Sequence, residues 1–178
     1  PSSARRKQAL DLSHQAGLTP WIPFYLETLS DSLNLLIDRP ICDKNICINP
    51  ELFICKEFID TIYKRIITSE LRPSGEYRYS DLGYYLIHKM LNSSYGTDNA
   101  IDSLAAAKFY NPMGLFSMRF NPLETPGINL VDIAPTVVDT IFRKGTIQGY
   151  VHDPGAALFG GVCGHAGVFS DAHDLARL

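Results

Sequence analysis

The chain has 178 residues, 46% hydrophobic and 20% charged, enough for one domain with a real core or one large lobe of a bigger domain. Its 16 basic and 19 acidic residues leave a net charge of −3, and the one dense basic run, Arg5-Arg6-Lys7, sits at the extreme start, so neither a nucleic-acid stripe nor a polybasic membrane patch is present. No apolar run approaches the ~20 residues of a membrane span, and the polar, basic first residues are not followed by the apolar core of a signal peptide.

In chain order, "ARRKQALDL" reads as the end of a helix, broken at Gly17, Pro20 and Pro23. "FYLETL" is a short helical turn, and residues 30 to 49 read as an irregular excursion. The clearest predicted element is a helix over "NPELFICKEFIDTIYKRIITSEL". Asn49 is its N-cap, Pro50 its first helical residue, and Leu52, Cys55, Ile59, Ile62, Ile66 and Ile67 form its apolar stripe. Pro73 and Gly75 end it. A second helix runs from about Asp81 to Leu91, entered through Ser80 or Asp81, with Leu82, Tyr85, Leu86, Lys89 and Met90 on one side. A third covers about Asn99 to Phe109 and stops at "NPMGL". Residues 120 to 155 are turn-rich, with "GINLVDI" and "TIQGYV" as short strands and "TVVDTIFRK" open between helix and strand. "GGVCGHAGVF" is too glycine-rich for a helix. Ser170 or Asp171 then caps a last helix, "AHDLARL". No repeat or low-complexity segment interrupts the pattern. The chain opens on Pro-Ser-Ser and stops inside a predicted helix, so residues 1–178 are expected to be a single module truncated at both ends.

The residues offer only a partial site. Cys42, Cys47 and Cys55 follow a C-x4-C-x7-C spacing with no C-x-x-C pair or nearby histidine, which is not a zinc pattern. Free or buried thiols are the main expectation, and a Cys42–Cys47 disulfide the alternative for an exported protein. There is no Gly-x-Ser-x-Gly elbow and no Ser-x-x-Lys. Thr61 and Lys64 face each other across one helical turn, a common surface arrangement. Cys163 stands two residues before His165, too close for ordinary base-to-nucleophile geometry. No histidine pair has the H-E-x-x-H spacing. No cofactor and no metal ligand set is expected. Tyr79, at the entrance of the second helix, is the best-placed reactive group.

Four segments together resemble the serine beta-lactamase-related family of class C beta-lactamases, D,D-peptidases and esterases. "LDLSHQAGL" resembles the Leu-Leu-Thr-His-Thr-Ser-Gly-Leu segment after the nucleophile helix. "YRYSDLGYYLIHKML" resembles the Tyr-x-Asn motif. "FYNPMGL" resembles Phe-x-Pro-Leu-Gly-Met. "GGVCGHAGVFSDAHDLARL" resembles Gly-Gly-x-x-Ser-Thr-Ala-x-Asp-Leu-Ala-Arg-Phe. Order and spacing agree, and 30 to 72 is the poorest match. The "VHD" and "GHAG" segments resemble modules of cell-envelope enzymes in that group.

The resemblance implies a mainly α module with a few short strands: the helical lobe of a beta-lactamase/transpeptidase-like fold, with its sheet domain largely outside the chain. It implies a parent hydrolase, penicillin-binding-protein-like or esterase-like, that cleaves an amide or ester through an acyl-enzyme. Tyr79 takes the place of the family tyrosine, and Asp81 stands where the family carries asparagine. The Ser-x-x-Lys helix is expected upstream of residue 1 and the third motif downstream of residue 178, so the fragment alone is expected to be inactive. "GHAG" precedes a helix and is not expected to be the third-motif strand. His165 and His152 are candidate substrate contacts, the alternative being that they hold their loop's backbone. Expected partners are a small-molecule or peptidoglycan-like substrate and the remainder of the parent chain, in the periplasm or cell envelope, with no nucleic acid and no membrane span. The contrasting reading is a non-catalytic binding or docking module of a larger cell-envelope protein.

Overall fold

The computed structural model describes residues 45–49, 52–70, 75, 77 and 79–178. The expected helices at "ARRKQALDL" and "FYLETL", His14 and the Cys42–Cys47 pairing lie outside the described residues. What is described is mainly helical with two small two-stranded sheets, the architecture expected of a helical lobe.

The long first helix of the sequence reading is corrected. Its N-terminal half is instead a strand pair: β1 (Asn45–Asn49) runs antiparallel to β2 (Leu52–Cys55), with Ile46 opposite Ile54 and an irregularity between Cys47 and Asn49. Asn49 therefore closes a strand and does not cap a helix. Only the C-terminal half is helical, as α1 (Phe58–Ile67). The run Leu52–Cys55 is apolar on consecutive residues, and so short a run fits a buried strand as well as a helix. Ile48 and Ile54 sit in the core with Phe58, Ile62, Tyr63 and Ile66 of α1, while Ile67 is exposed.

Helix α2 (Leu82–Tyr95) matches its predicted position and runs one turn further, ending at Gly96 in the left-handed conformation. Its buried face differs from expectation. Tyr85 and His88 turn inward, whereas Leu86 and Met90 are exposed together with Ile87. Helix α3 (Ala100–Ala105) passes through a π-helical turn (Ala106–Tyr110) into α4 (Asn111–Met113). Gly114 stops it at φ 67° and ψ 33°, a conformation that only glycine adopts without steric cost, as "NPMGL" predicts.

"GINLVDI" is not a strand. Asn129 and Asp132 close a capping box around a 3-10 turn (Leu130–Asp132). The second small sheet pairs β3 (Val137–Asp139), from the segment left open, with β4 (Gly145–Ile147). Helix α5 (Pro154–Leu158) is short and buried, and α6 (Ala172–Leu175) closes the chain. Asp171, not Ser170, caps α6 by accepting the Asp174 N–H at 2.8 Å. Residues 164–167 form no strand; the nearest ladder contact is the isolated bridge between Arg119 and Phe169.

An aromatic cluster unites these pieces. Phe159 stacks on Tyr85 (centroids 5.0 Å) and meets Tyr63 (5.2 Å) and His88 (5.4 Å) at tilted or edge-on angles. Edge-on and offset contacts suit the ring quadrupoles and add to what burial alone contributes. The cluster pins α1, α2 and the segment after α5 to one another, and so fixes where the glycine loop meets the start of α2.

Candidate functional site

The start of α2 presents the site. The Ser80 hydroxyl accepts the Leu82 N–H at 3.3 Å, so the short hydroxyl takes the capping role. The Asp81 side chain makes no capping bond. Its carboxylate instead lies beside the hydroxyl of Tyr79, a residue that is 69% exposed. The pull of that carboxylate on the phenol proton, and then its negative charge, push the Tyr79 phenol above its ordinary value. Asp81 Oδ1 is buried and has no hydrogen-bond partner.

The glycine loop arrives from the other side. Gly164 packs on Tyr84, and the His165 ring lies edge-on to Tyr85 (centroids 5.0 Å) and tilted against Tyr84 (5.8 Å). His165 Nε2 is 3.1 Å from Asp153 Oδ1, while its Nδ1 is buried and unpartnered. Asp153 caps α5, accepting the Ala156 N–H at 2.7 Å. Burial alone would raise the Asp153 carboxyl. The bonds from His165 and Ala156, with the charges of His165 and His152, outweigh it and hold the carboxyl below its usual value. One donor atom each from Asp81, Asp153 and His165 lie within 4.8 Å of one another.

The structure thus brings together three of the four sequence-named groups and their missed partner. Tyr79, Asp81 and His165 converge; His152 does not join them. Its side chain is exposed, and its carbonyl accepts from Arg143 Nη2. In the sequence His152-Asp153 can be imagined as a ligand pair, though no spacing demands it, and the local signal of the capping role of Asp153 is Asp-Pro at a helix start. His88 is a second omission. It is buried, not a loop histidine, and bonds Tyr63 Oη at 2.9 Å through Nδ1. Cys163 is no nucleophile: burial, then the charge of Asp153, push its thiol up to about 12. Thr61 and Lys64 are both exposed on α1. A broad groove of about 980 Å³, bordered by Lys56, Asp60, Lys89, Asn92 and Asp98, opens on the far side of His88 and Phe159 and is not lined by Tyr79, Asp81 or His165.

The chain is 34% identical over 119 residues to proteins named "Putative D-alanyl-D-alanine carboxypeptidase" from Salmonella paratyphi B, Salmonella newport and Salmonella agona. It is homologous to them. The match takes in 61% of this chain and 27% of each relative, so the chain spans about a quarter of the length of the curated relatives it matches. The similarity supports the penicillin-binding and beta-lactamase-like serine peptidases as the wider family and singles out no subfamily within it. No family model matches the chain, and no solved structure matches it significantly. Among the described residues no helix is long and apolar enough to cross a membrane.

Proposed function

We propose that residues 1–178 are one module of a serine hydrolase of the beta-lactamase-related family, which cleaves an amide or ester through an acyl-enzyme. The substrate class is peptides ending in D-alanyl-D-alanine, in the periplasm or cell envelope. The observation that carries the reading is the exposed Tyr79 hydroxyl, held by Asp81 at the entrance of α2. In this role Tyr79 moves the proton of an attacking serine, and Asp81 orients the phenol and draws a cation to it. His165 borders the substrate, and His152, exposed and outside the cluster, is the outlying candidate contact. The exposed stripe of Ile87 and Met90 on α2 is the face offered to the remainder of the parent chain.

The electrostatics state what the parent has to supply. A phenol of pKa ~10 works as a base only where cations stabilise the phenolate. Asp81 does the opposite, so an ammonium group from the rest of the protein has to offset it. That raised phenol also favours the second reading, a binding module in which Tyr79 only donates a hydrogen bond.

Tyr79→Phe in the full-length protein separates the two. The first reading expects acylation by a fluorescent penicillin and release of D-alanine to fall by about 10²–10⁴, the usual worth of a positioned proton-transfer group, with substrate binding retained. A full-length protein that neither acylates nor turns over leaves the binding module standing instead, and a Phe variant as fast as an active wild type overturns the role of Tyr79 in proton transfer.

A further inference from the structure

We propose that Asp81, Asp153 and His165 bind one divalent transition-metal cation of the zinc type. Imidazole nitrogen with carboxylate oxygen is a donor set suited to such ions. Donors about 2.0–2.2 Å from a common ion lie at most about 4.4 Å apart. The three donor atoms already fall within 4.8 Å, and the His165 Nε2 to Asp153 Oδ1 separation of 3.1 Å is a normal edge of such a polyhedron. A tetrahedral site has ligand edges of about 3.3–3.6 Å, so completing the set takes side-chain rotations that move a donor by up to about 1 Å.

A second observation points to a ligand independently. Among the described residues only two buried side-chain polar atoms lack a hydrogen-bond partner, Asp81 Oδ1 and His165 Nδ1, and both belong to this trio. The His165 side chain is 4% exposed. Leaving such atoms unpaired is unfavourable; one imidazole gives one nitrogen to an ion, so a cation held through His165 Nε2 takes up Asp81 Oδ1 and offsets the carboxylate charge, while Nδ1 lies outside its shell. No described lysine or arginine pairs with Asp81 or Asp153. The comparison within the same chain is Asp171, His173 and Asp174, equally close together. There both carboxylates accept backbone N–H groups, Asp171 from Asp174 and Asp174 from Ser117 at 2.7 Å, as Asp153 does from Ala156, so the difference lies in Asp81 Oδ1. That group is mostly exposed and contains no unpartnered buried atom.

The spacing of residues 81, 153 and 165 hid the trio from sequence. Its members come from a helix entrance, a helix cap and a loop. The inference stands on this geometry and not on the hydrolase reading; a bound cation beside Asp81 would in addition relieve the carboxylate's push on the Tyr79 phenol.

The experiment is titration of the chelator-treated full-length protein with Zn²⁺ by calorimetry and with Co²⁺ by visible absorption. One equivalent is expected to bind, with Co²⁺ bands typical of nitrogen and oxygen donors. Asp81→Asn and His165→Gln are each expected to weaken binding at least tenfold, and His173→Gln to leave it unchanged. Circular dichroism confirms that each variant is folded. If His165→Gln does not fold, His165→Cys decides: a new thiolate charge-transfer band supports the site, and an unaltered spectrum overturns it. Absence of stoichiometric binding overturns it, as does binding indifferent to Asp81→Asn and His165→Gln, or a crystal structure with a lysine Nζ of the same protein between Asp81 and His165. Because binding is read without catalysis, Tyr79→Phe can abolish turnover and leave the cation in place, which keeps the two readings separable.

Discussion

His88 shows how one buried side chain can be read down to its proton. Asn92 Oδ1 accepts the Ala100 N–H, which fixes the orientation of that amide. Asn92 Nδ2 then donates to His88 Nε2, so Nε2 is an acceptor and the proton sits on Nδ1, donating to Tyr63 Oη. The imidazole is neutral, and burial, the largest influence on it, lowers its pKa in agreement. Tyr63→Phe strands that N–H in the core and is expected to cost about 1–3 kcal/mol in urea unfolding. The pH dependence has a definite sign. The unfolded histidine, with pKa ~6.5, binds more protons than the folded one. Stability is therefore complete above about that pH and is lost as pH falls through the lower folded value. Melting temperatures between pH 7.5 and 5 are expected to decline for the wild type and to be flatter for His88→Gln. None of this was legible in the sequence, where His88 sits in an ordinary helical run and its partner is 25 residues away. Tyr79 and Asp81 were legible because they touch within one tripeptide.

At the level of elements, the segments read correctly are those whose signal is local: α2, the stop at Gly114, the absence of helix around residues 160–169, and the Asp171 cap. The strand pair β1–β2 was missed because its pairing is decided by partners across the sheet, not by period. The hairpin β3–β4 has a further determinant, Arg143, four residues after Asp139. Its side chain is fully buried, pairs with Asp139 at 3.1 Å, and donates to the carbonyls of Val151 and His152. Arg143→Met leaves Asp139 buried without its cation and is expected to cost about 3–5 kcal/mol, measured as a shift in denaturation midpoint. Gly167 governs the other end. At φ 119°, a Cβ there would stand 2.1 Å from the Gly161 carbonyl oxygen. Gly167→Ala is expected to destabilise by at least about 1–2 kcal/mol from backbone strain alone and to displace His165, visible as altered shifts of its ring protons.

For the molecule as a whole, acid unfolding is expected in two limbs. The first belongs to His88 and begins near pH 6.5. The second belongs to Asp139 and Asp153. Burial works against their ionised forms, but N–H and side-chain donors outweigh it and hold both below the ordinary carboxylate value. Their contribution is present above about pH 4 and disappears as pH falls through the lowered values. Asp102 runs the other way, since burial raises its carboxyl and its share is lost as pH rises. Unfolding curves from pH 8 to 2 are expected to resolve the two limbs, with the lower one reduced in Asp139→Asn. The same wiring bears on the turn that carries His165. It is anchored upstream by the Asp153 contact and downstream where Arg119 and Phe169 exchange backbone bonds of 3.0 and 2.8 Å. Such a doubly moored wall does not swing shut on a guest like a flap. On the reading that His165 borders a ligand, molecules docking there are expected to be sorted by whether they already match its contour, with little ordering entropy lost on their arrival.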